Sequence, residues 1–329
     1  MTQQGALALV IAGGEIVTRA RESAQDGAVT PEEVLRLVPG DLQSRIRTID
    51  WSHQPGSHYS VRMTMDLVQI LWKLVREGTN AIVVTCGADA IEEMAYLTDL
   101  LWAYPQPVVF TCAVRPQDSS GADGPLNLMQ AFCAASSEKS WGLGVLLCVH
   151  DQLFSASEVC EVANQRRCAF DAPGKGPVGE IVGRNVYLLR AARRSKVLEN
   201  VSTPARNVEL LQATLGGGDI ILDGLASLKT RSIDGLMLAG FGNGDVPPSW
   251  LPHIRAIVRE GIPVAVTSRC PQGRTRACLS HEGSFSRLLE MGVLDAGALS
   301  PMQARLKLAV GIGGGLQGKA LQEYLLDTI

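Results

Sequence analysis

The sequence carries no excess of basic charge. Its formal net charge is −3 at pH 7, so neither nucleic acid nor an anionic membrane surface is an expected partner. No apolar stretch reaches the length of a membrane span. The opening Met1-Thr2-Gln3-Gln4 lacks the basic start of a signal peptide, so no leader is expected. The eight cysteines, at 86, 112, 133, 148, 160, 168, 270 and 278, form no CxxC pair. That speaks against a zinc cage and against a disulfide framework. Several of them lie in apolar runs, where a free Cys behaves as a small hydrophobe, and a reducing, cytoplasmic setting is expected. Internal repeats and low-complexity tracts are missing too.

What is present is a large apolar inventory. The chain has 329 residues, of which 46% are hydrophobic, enough for one large or two medium domains. Apolar runs at 81–85, 108–113, 144–149, 235–239 and 264–267 read as buried strands. Amphipathic stretches at 61–76, 90–102 and 125–137 lie between them and read as helices. The alternation predicts an α/β fold, a parallel sheet with helices on both faces. A basic, polar stretch from Arg190 to Lys196 begins a loop-like segment, and Gly216-Gly217-Gly218 precedes a second α/β pattern. The reading is a larger domain over 1–190, a linker over 191–215 and a smaller domain over 216–329.

The first strand carries the sharpest signal. Leu7 to Ala12 is apolar and runs into Gly13-Gly14-Glu15-Ile16. In parallel sheets function collects at the C-terminal strand ends, and paired glycines there allow a tight turn and close backbone approach. That turn presents Glu15. Thr18–Thr30 follows as a polar loop that could close as a lid or serve as an ordinary connection.

Several segments together resemble one family, the bacterial-type L-asparaginase/glutaminase amidohydrolases. Ile11-Ala12-Gly13-Gly14-Glu15-Ile16 is similar to the family's Thr-Gly-Gly-Thr-Ile. Thr85-Cys86-Gly87-Ala88-Asp89-Ala90-Ile91-Glu92-Glu93 is similar to His-Gly-Thr-Asp-Thr-Met-Glu-Glu. Ala113-Val114-Arg115-Pro116, Ala122-Asp123-Gly124-Pro125-Leu126-Asn127 and Gly240-Phe241-Gly242-Asn243-Gly244-Asp245 have counterparts as well. The resemblance implies a flavodoxin-like N-terminal domain and a smaller α/β C-terminal domain. It also implies a homodimer or homotetramer with active sites at subunit interfaces.

The resemblance breaks at the reacting groups. Where the family has its nucleophilic Thr, this chain has Glu15. The second catalytic Thr falls on Ala88, the activating Lys on Glu161, and the Ser that holds the substrate carboxylate on Trp51 or, with a one-residue slip, Ser52. The lid Tyr has no counterpart before Tyr59. Asp89 is retained, and in the family it receives the substrate's α-amino group. Acyl transfer needs a nucleophile, a base and an oxyanion hole, so ordinary asparagine hydrolysis is not expected.

The replacements suggest other chemistry. Glu15, Asp89 and Glu161 are expected to converge, with Asn243 and Asp245 supplied from a partner subunit. Crowded carboxylates cannot all ionise cheaply, and a raised Glu suits acid–base work near neutral pH. Glu15 and Glu161 are therefore the candidate catalytic pair. Asp89, Trp51, Ser52, Ala88, Asn243 and Asp245 are the candidate substrate contacts, with Trp51 as an aromatic wall. The expected substrate is a small amine or amino-acid-derived molecule, and no cofactor or metal is assigned.

Blander roles stand beside these. Glu15 could cap a helix N-terminus, Glu161 could lie on an exposed helix face, and Trp51 could be a core or interface residue. His53 and His58 fit a surface loop, and Glu92 and Glu93 fit a first helical turn favoured by the macrodipole. Arg115 and Asp123 could hold strand-end loops as an ion pair. Two other functional readings remain open at this point: a silent binding protein, and an amidohydrolase using Cys86, Ser52 or Thr85 as a replacement nucleophile.

Overall fold

A computed structural model describes residues 6–19, 29–164, 166–199, 201–227 and 233–327. It divides into two compact units, 1–197 and 198–329.

The first unit is built on an eight-stranded sheet. Its strands are β1 (Ala6–Ala12), β2 (Ile46–Ser52), β3 (Thr79–Cys86), β4 (Val108–Thr111), β5 (Val145–Val149), β6 (Gln152–Ser155), β9 (Gly179–Val182) and β10 (Asn185–Leu188). A separate ribbon pairs β7 (Cys160–Glu161) with β8 (Phe170–Asp171). Five strands run parallel in the order β2-β1-β3-β4-β5. This is the flavodoxin-like order, in which the direction of strand progression reverses between β1 and β3. The antiparallel strands β6, β9 and β10 extend the other edge.

The central strand shows why the pattern folds this way. Side chains alternate across β1, and both faces are covered. Ala8, Val10 and Ala12 enter one core with Leu67, Leu71 and Met94. Leu7, Leu9 and Ile11 enter the other with Leu128 and Phe132. The helices of this unit are α1 (Pro31–Arg36), α2 (Gly40–Gln43), α3 (Val61–Arg76), α4 (Ala88–Leu100) and α5 (Gly124–Ser136). On α3, Thr64, Met65, Leu67, Val68, Leu71, Leu74 and Val75 form the buried stripe that its 3.6-residue period dictates. Ser60 caps it by accepting from Met63 N at 3.3 Å.

A buried ion pair locks the end of α4. Asp99 is fully buried. Its carboxylate takes Arg194 Nη2 at 2.8 Å, Ser157 Oγ at 2.7 Å and the backbone N–H of Val145 at 3.0 Å. The 190s segment, basic and loop-like in sequence, is thereby tied to the sheet.

The second unit has four parallel strands in the order β11 (Val208–Gln212), β12 (Gly235–Gly240), β13 (Val264–Ser268) and β14 (Leu294–Asp295). Its helices are α6 (Asp219–Ser227), α7 (Leu251–Arg259), α8 (Phe285–Glu290), α9 (Pro301–Gly313) and α10 (Gly318–Leu326). Trp250, Ile254, Leu236, Leu238 and Val266 lie in its core. The strand β11 falls inside the segment that the sequence pattern assigns to a linker. Only Val208 of its five residues is buried, so the segment lacks the apolar run that marks a strand.

Asp99→Ala is expected to destabilise the protein by about 3 kcal/mol, the lower end of the range for breaking a buried pair, because Arg194 retains some solvent contact. The shift in denaturant midpoint measures it.

Candidate active site

The site is set by backbone proximity at the C-terminal ends of β1, β2 and β3. Gly13 and Gly14 have φ of 73° and 87°, in the left-handed region where a side chain would be strained. Each also lacks room for one. A Cβ on Gly13 would collide with the Gln54 carbonyl, and one on Gly14 with the Cys86 carbonyl. A Cβ on Gly87 would stand 2.9 Å from the Gly56 Cα, and one on Gly56 would stand 3.1 Å from the Asp89 Cβ. The turn after β1, the 3₁₀ turn Gly56–His58 and the start of α4 therefore touch through their backbones. This is the strand-order switch point of the sheet, where ligands of open α/β folds bind.

Glu15 begins a short 3₁₀ turn, Glu15–Val17, after that junction. Its side chain is exposed and does not cap the turn: among the described residues no hydrogen bond engages its carboxylate. Asp89 lies in the first turn of α4 and is exposed too. Glu161 lies on β7, not on a helix face, with an exposed side chain. The three are electrostatically joined. Partial burial and then the Asp89 charge push the Glu15 carboxyl above its ordinary value, and the same two causes raise Glu161. Among the described residues, no group of three or more His, Cys, Asp or Glu side chains is arranged to hold a metal ion.

The other candidate residues fall into distinct settings. Trp51 is half-buried and stacks on Tyr59, with centroids 5.6 Å apart and planes inclined by 20°. Tyr59 in turn donates its hydroxyl to the Ala12 carbonyl at 2.9 Å, bracing the end of β1. Burial pushes its phenol up to about 12. Ser52 accepts from the Gln54 N–H at 3.3 Å. Ala88 opens α4 and offers no functional group. In the second unit, Asn243 is exposed, and Asp245 accepts from Phe285 N at 2.9 Å with His281 at 3.7 Å. His53 pairs with Asp50 at 2.7 Å, while His58 is exposed. Arg115 and Asp123 do not form a side-chain ion pair. Asp123 instead accepts the backbone N–H groups of Val114 and Arg115, and the Arg115 guanidinium donates to the Ser120 carbonyl at 3.0 Å. Of the loop Thr18–Thr30, residues 20–28 lie outside the described residues. Its flanks are tied down, with Thr18 Oγ1 donating to the Gly14 carbonyl and Thr30 capping α1.

Of the three replacement nucleophiles, Cys86 and Thr85 are fully buried and Ser52 is half-buried. Cys86 is fully buried, contacts Met94 Sδ at 3.4 Å, and burial pushes its thiol up to about 12. Thr85 is fully buried and accepts from the Ala12 N–H at 3.4 Å. A thiol nucleophile needs a lowered pKa and access, and Cys86 has neither.

Two residues at this end of the sheet carry little or no site signal in the sequence. Tyr59 becomes visible only through its stack and its bond to Ala12. Glu92, expected in a first helical turn, lies one turn further along α4, is 5% exposed and accepts the Glu161 N–H at 2.9 Å. The i, i+3 spacing from Asp89 is its one signal, and that spacing does not reveal a partner 69 positions away.

Comparison with known proteins identifies the family. The family model described as Asparaginase, N-terminal, matches residues 6–194, and the one described as Glutaminase/Asparaginase C-terminal domain matches 207–325. An L-asparaginase of Bacillus licheniformis is 29% identical over 316 residues, covering 92% of this chain and 94% of that protein. A probable L-asparaginase of Deinococcus radiodurans is 31% identical over 313 residues, covering 92% of each chain. The crystal structure of a probable cytoplasmic L-asparaginase from Campylobacter jejuni superposes with a TM-score of 0.87 at 24% identity, covering 98% of this chain and all of that one. With both domain models matched in order, the chain belongs to the asparaginase/glutaminase family.

Proposed function

We propose that this asparaginase-fold protein is an enzyme diverged from asparagine and glutamine hydrolysis, acting on a small amine or amino-acid-derived substrate by carboxylate acid–base chemistry. The observation that carries the reading is the charge arrangement at the switch point. Partial burial first, and then the Asp89 charge, raise the proton affinity of both Glu15 and Glu161, while no described cation pairs with either glutamate. A carboxyl held above its ordinary value gives up its proton less readily than a free one, which suits it to acid–base exchange. In this reading Asp89 anchors a substrate ammonium, and Glu15 and Glu161 exchange protons with it on either side. Cyclisation, condensation, elimination or an unusual amide reaction all fit such a pair. The Trp51–Tyr59 stack would offer a flat apolar wall. Asn243 and Asp245 would complete the site from a second copy in a homodimer or homotetramer. A cytoplasmic location fits the cysteine usage and the likeness to the probable cytoplasmic asparaginase of Campylobacter jejuni.

Binding tests the amine anchor. Titration calorimetry with a panel of small primary amines and amino-acid amides should find ligands whose affinity falls about tenfold or more in Asp89→Asn, a loss of ~1.4 kcal/mol. Affinities that are equal in the two proteins would remove the anchor. On the substrate so identified, Glu15→Gln should lower turnover about 100-fold or more.

Protonation tests the carboxyl pair. Because folding raises the Glu15 pKa, the native state binds more protons than the unfolded chain from the ordinary carboxyl range up to the raised value. Stability from this group therefore falls as pH rises through that window. Glu15→Gln should raise the melting temperature at about pH 8 and leave it unchanged at about pH 4. An equal effect at both pH values would contradict the electrostatic account.

A further inference from the structure

The acidic site leaves one buried group unused. Glu92 stands on α4 one turn beyond Asp89 and is 5% exposed. Its Oε2 accepts the backbone N–H of Glu161 at 2.9 Å, and its Oε1 is buried with no hydrogen-bond partner. A buried carboxylate with one unsatisfied oxygen is costly, and a proton removes most of that cost. The groups facing it offer no relief. Glu93 on its own helix and Glu161 on β7 are both acidic. Cys160, also on β7, is a thiol whose own ionisation is disfavoured first by burial and then by Glu92. No described cation pairs with it.

Resting on the reading of Glu161 as a site carboxylate, we propose that Glu92 is a positioning residue for Glu161. Its buried carboxyl fixes the strand that carries Glu161, and it takes up the proton that lets Glu161 ionise beside Asp89. The hydrogen bond sets geometry, because β7 is only two residues long and pairs with only two residues of β8. The proton sets charge. Burial pushes Glu92 up to about 7, against the opposing pull of the Glu161 N–H, and the charges of Glu93 and Glu161 add to the rise. Below that pH Glu92 itself carries no charge. Above it a further negative charge appears beneath Glu161 and strengthens that residue's hold on a proton. A charge on one of these carboxyls is felt by the other. A catalytic Glu161 would inherit the neutral-pH step of its neighbour.

The test is pH-difference infrared spectroscopy on the intact protein in D₂O, following the carbonyl stretch of protonated carboxylic acids. Wild type should show a buried acid band that is lost with a midpoint of about 7. Glu92→Gln should lack that band while remaining folded, since the amide oxygen can still accept the Glu161 N–H. Glu161→Gln, a change at an exposed side chain, should keep the band but move its midpoint to lower pH, because the opposing charge is gone. A purely structural Glu92 would not move in Glu161→Gln, since the backbone bond survives there. A wild type without the band, a band retained in Glu92→Gln, or a midpoint unmoved in Glu161→Gln would overturn the inference. No substrate is needed. Intact coupling without amine binding would sink the functional reading alone, and missing coupling with intact amine binding would sink this inference alone.

Discussion

Everything at the functional end of this protein depends on three chain segments meeting without side chains between them. Gly13-Gly14, Gly56 and Gly87 touch through backbone atoms where the strand order of the sheet reverses. At none of the four is there ordinary room for a Cβ, and at two of them the backbone dihedrals would also resist one. Because the backbones close at that junction, the residues just beyond it are carried to a common place. Glu15 follows the glycine pair, and Asp89 follows Gly87. The same junction would serve a hydroxyl or a carboxylate equally well, so the scaffold fixes where chemistry occurs while the side chains decide which chemistry it is.

The distribution of countercharge separates structural acids from site acids. Asp99 is buried and receives Arg194, Ser157 and a backbone N–H. Glu158 is buried and receives Arg190 at 2.7 Å and Lys175 at 3.3 Å. Those carboxylates are compensated, as burial requires. Glu15 and Glu161 both lie within electrostatic reach of Asp89, and Glu92 accepts the Glu161 N–H, with no described cation paired to any of the four. Among acids so placed, protons substitute for cations, and the cheapest place for a proton is the most buried carboxyl. Glu92 fills that position, with the more exposed acids ranged around it.

Much of this architecture is legible in the sequence. Long apolar runs mark β1, β3, β5, β12 and β13, because a strand buried on both faces must be apolar throughout. The stretch 61–76 coincides with α3, whose buried positions recur at helical spacing and whose start carries a Ser cap. Short elements are not legible. β7 and β8 have two residues each, and β6, β9 and β10 have four, too few for a period to show. Glu15 and Asp89 can be placed because glycines and a strand end flank each of them. Glu161 can be placed only by resemblance, since its position depends on a ribbon that leaves no pattern. Glu92 and Tyr59 escape notice as site groups for a common reason: each is defined by a hydrogen bond to a residue 47 or more positions away, and no local spacing records such a bond. Arg115 and Asp123 show the converse error, two opposite charges near in sequence that bond to backbone instead of to each other.

The central claim is that this family scaffold has exchanged hydroxyl chemistry for carboxylate chemistry. The most direct test is ammonia release from L-asparagine and L-glutamine by the purified wild-type protein at neutral pH. The account predicts no saturable release from either amide. Saturable release that scales with enzyme concentration would contradict it, and would require a nucleophile other than the buried Cys86 and Thr85.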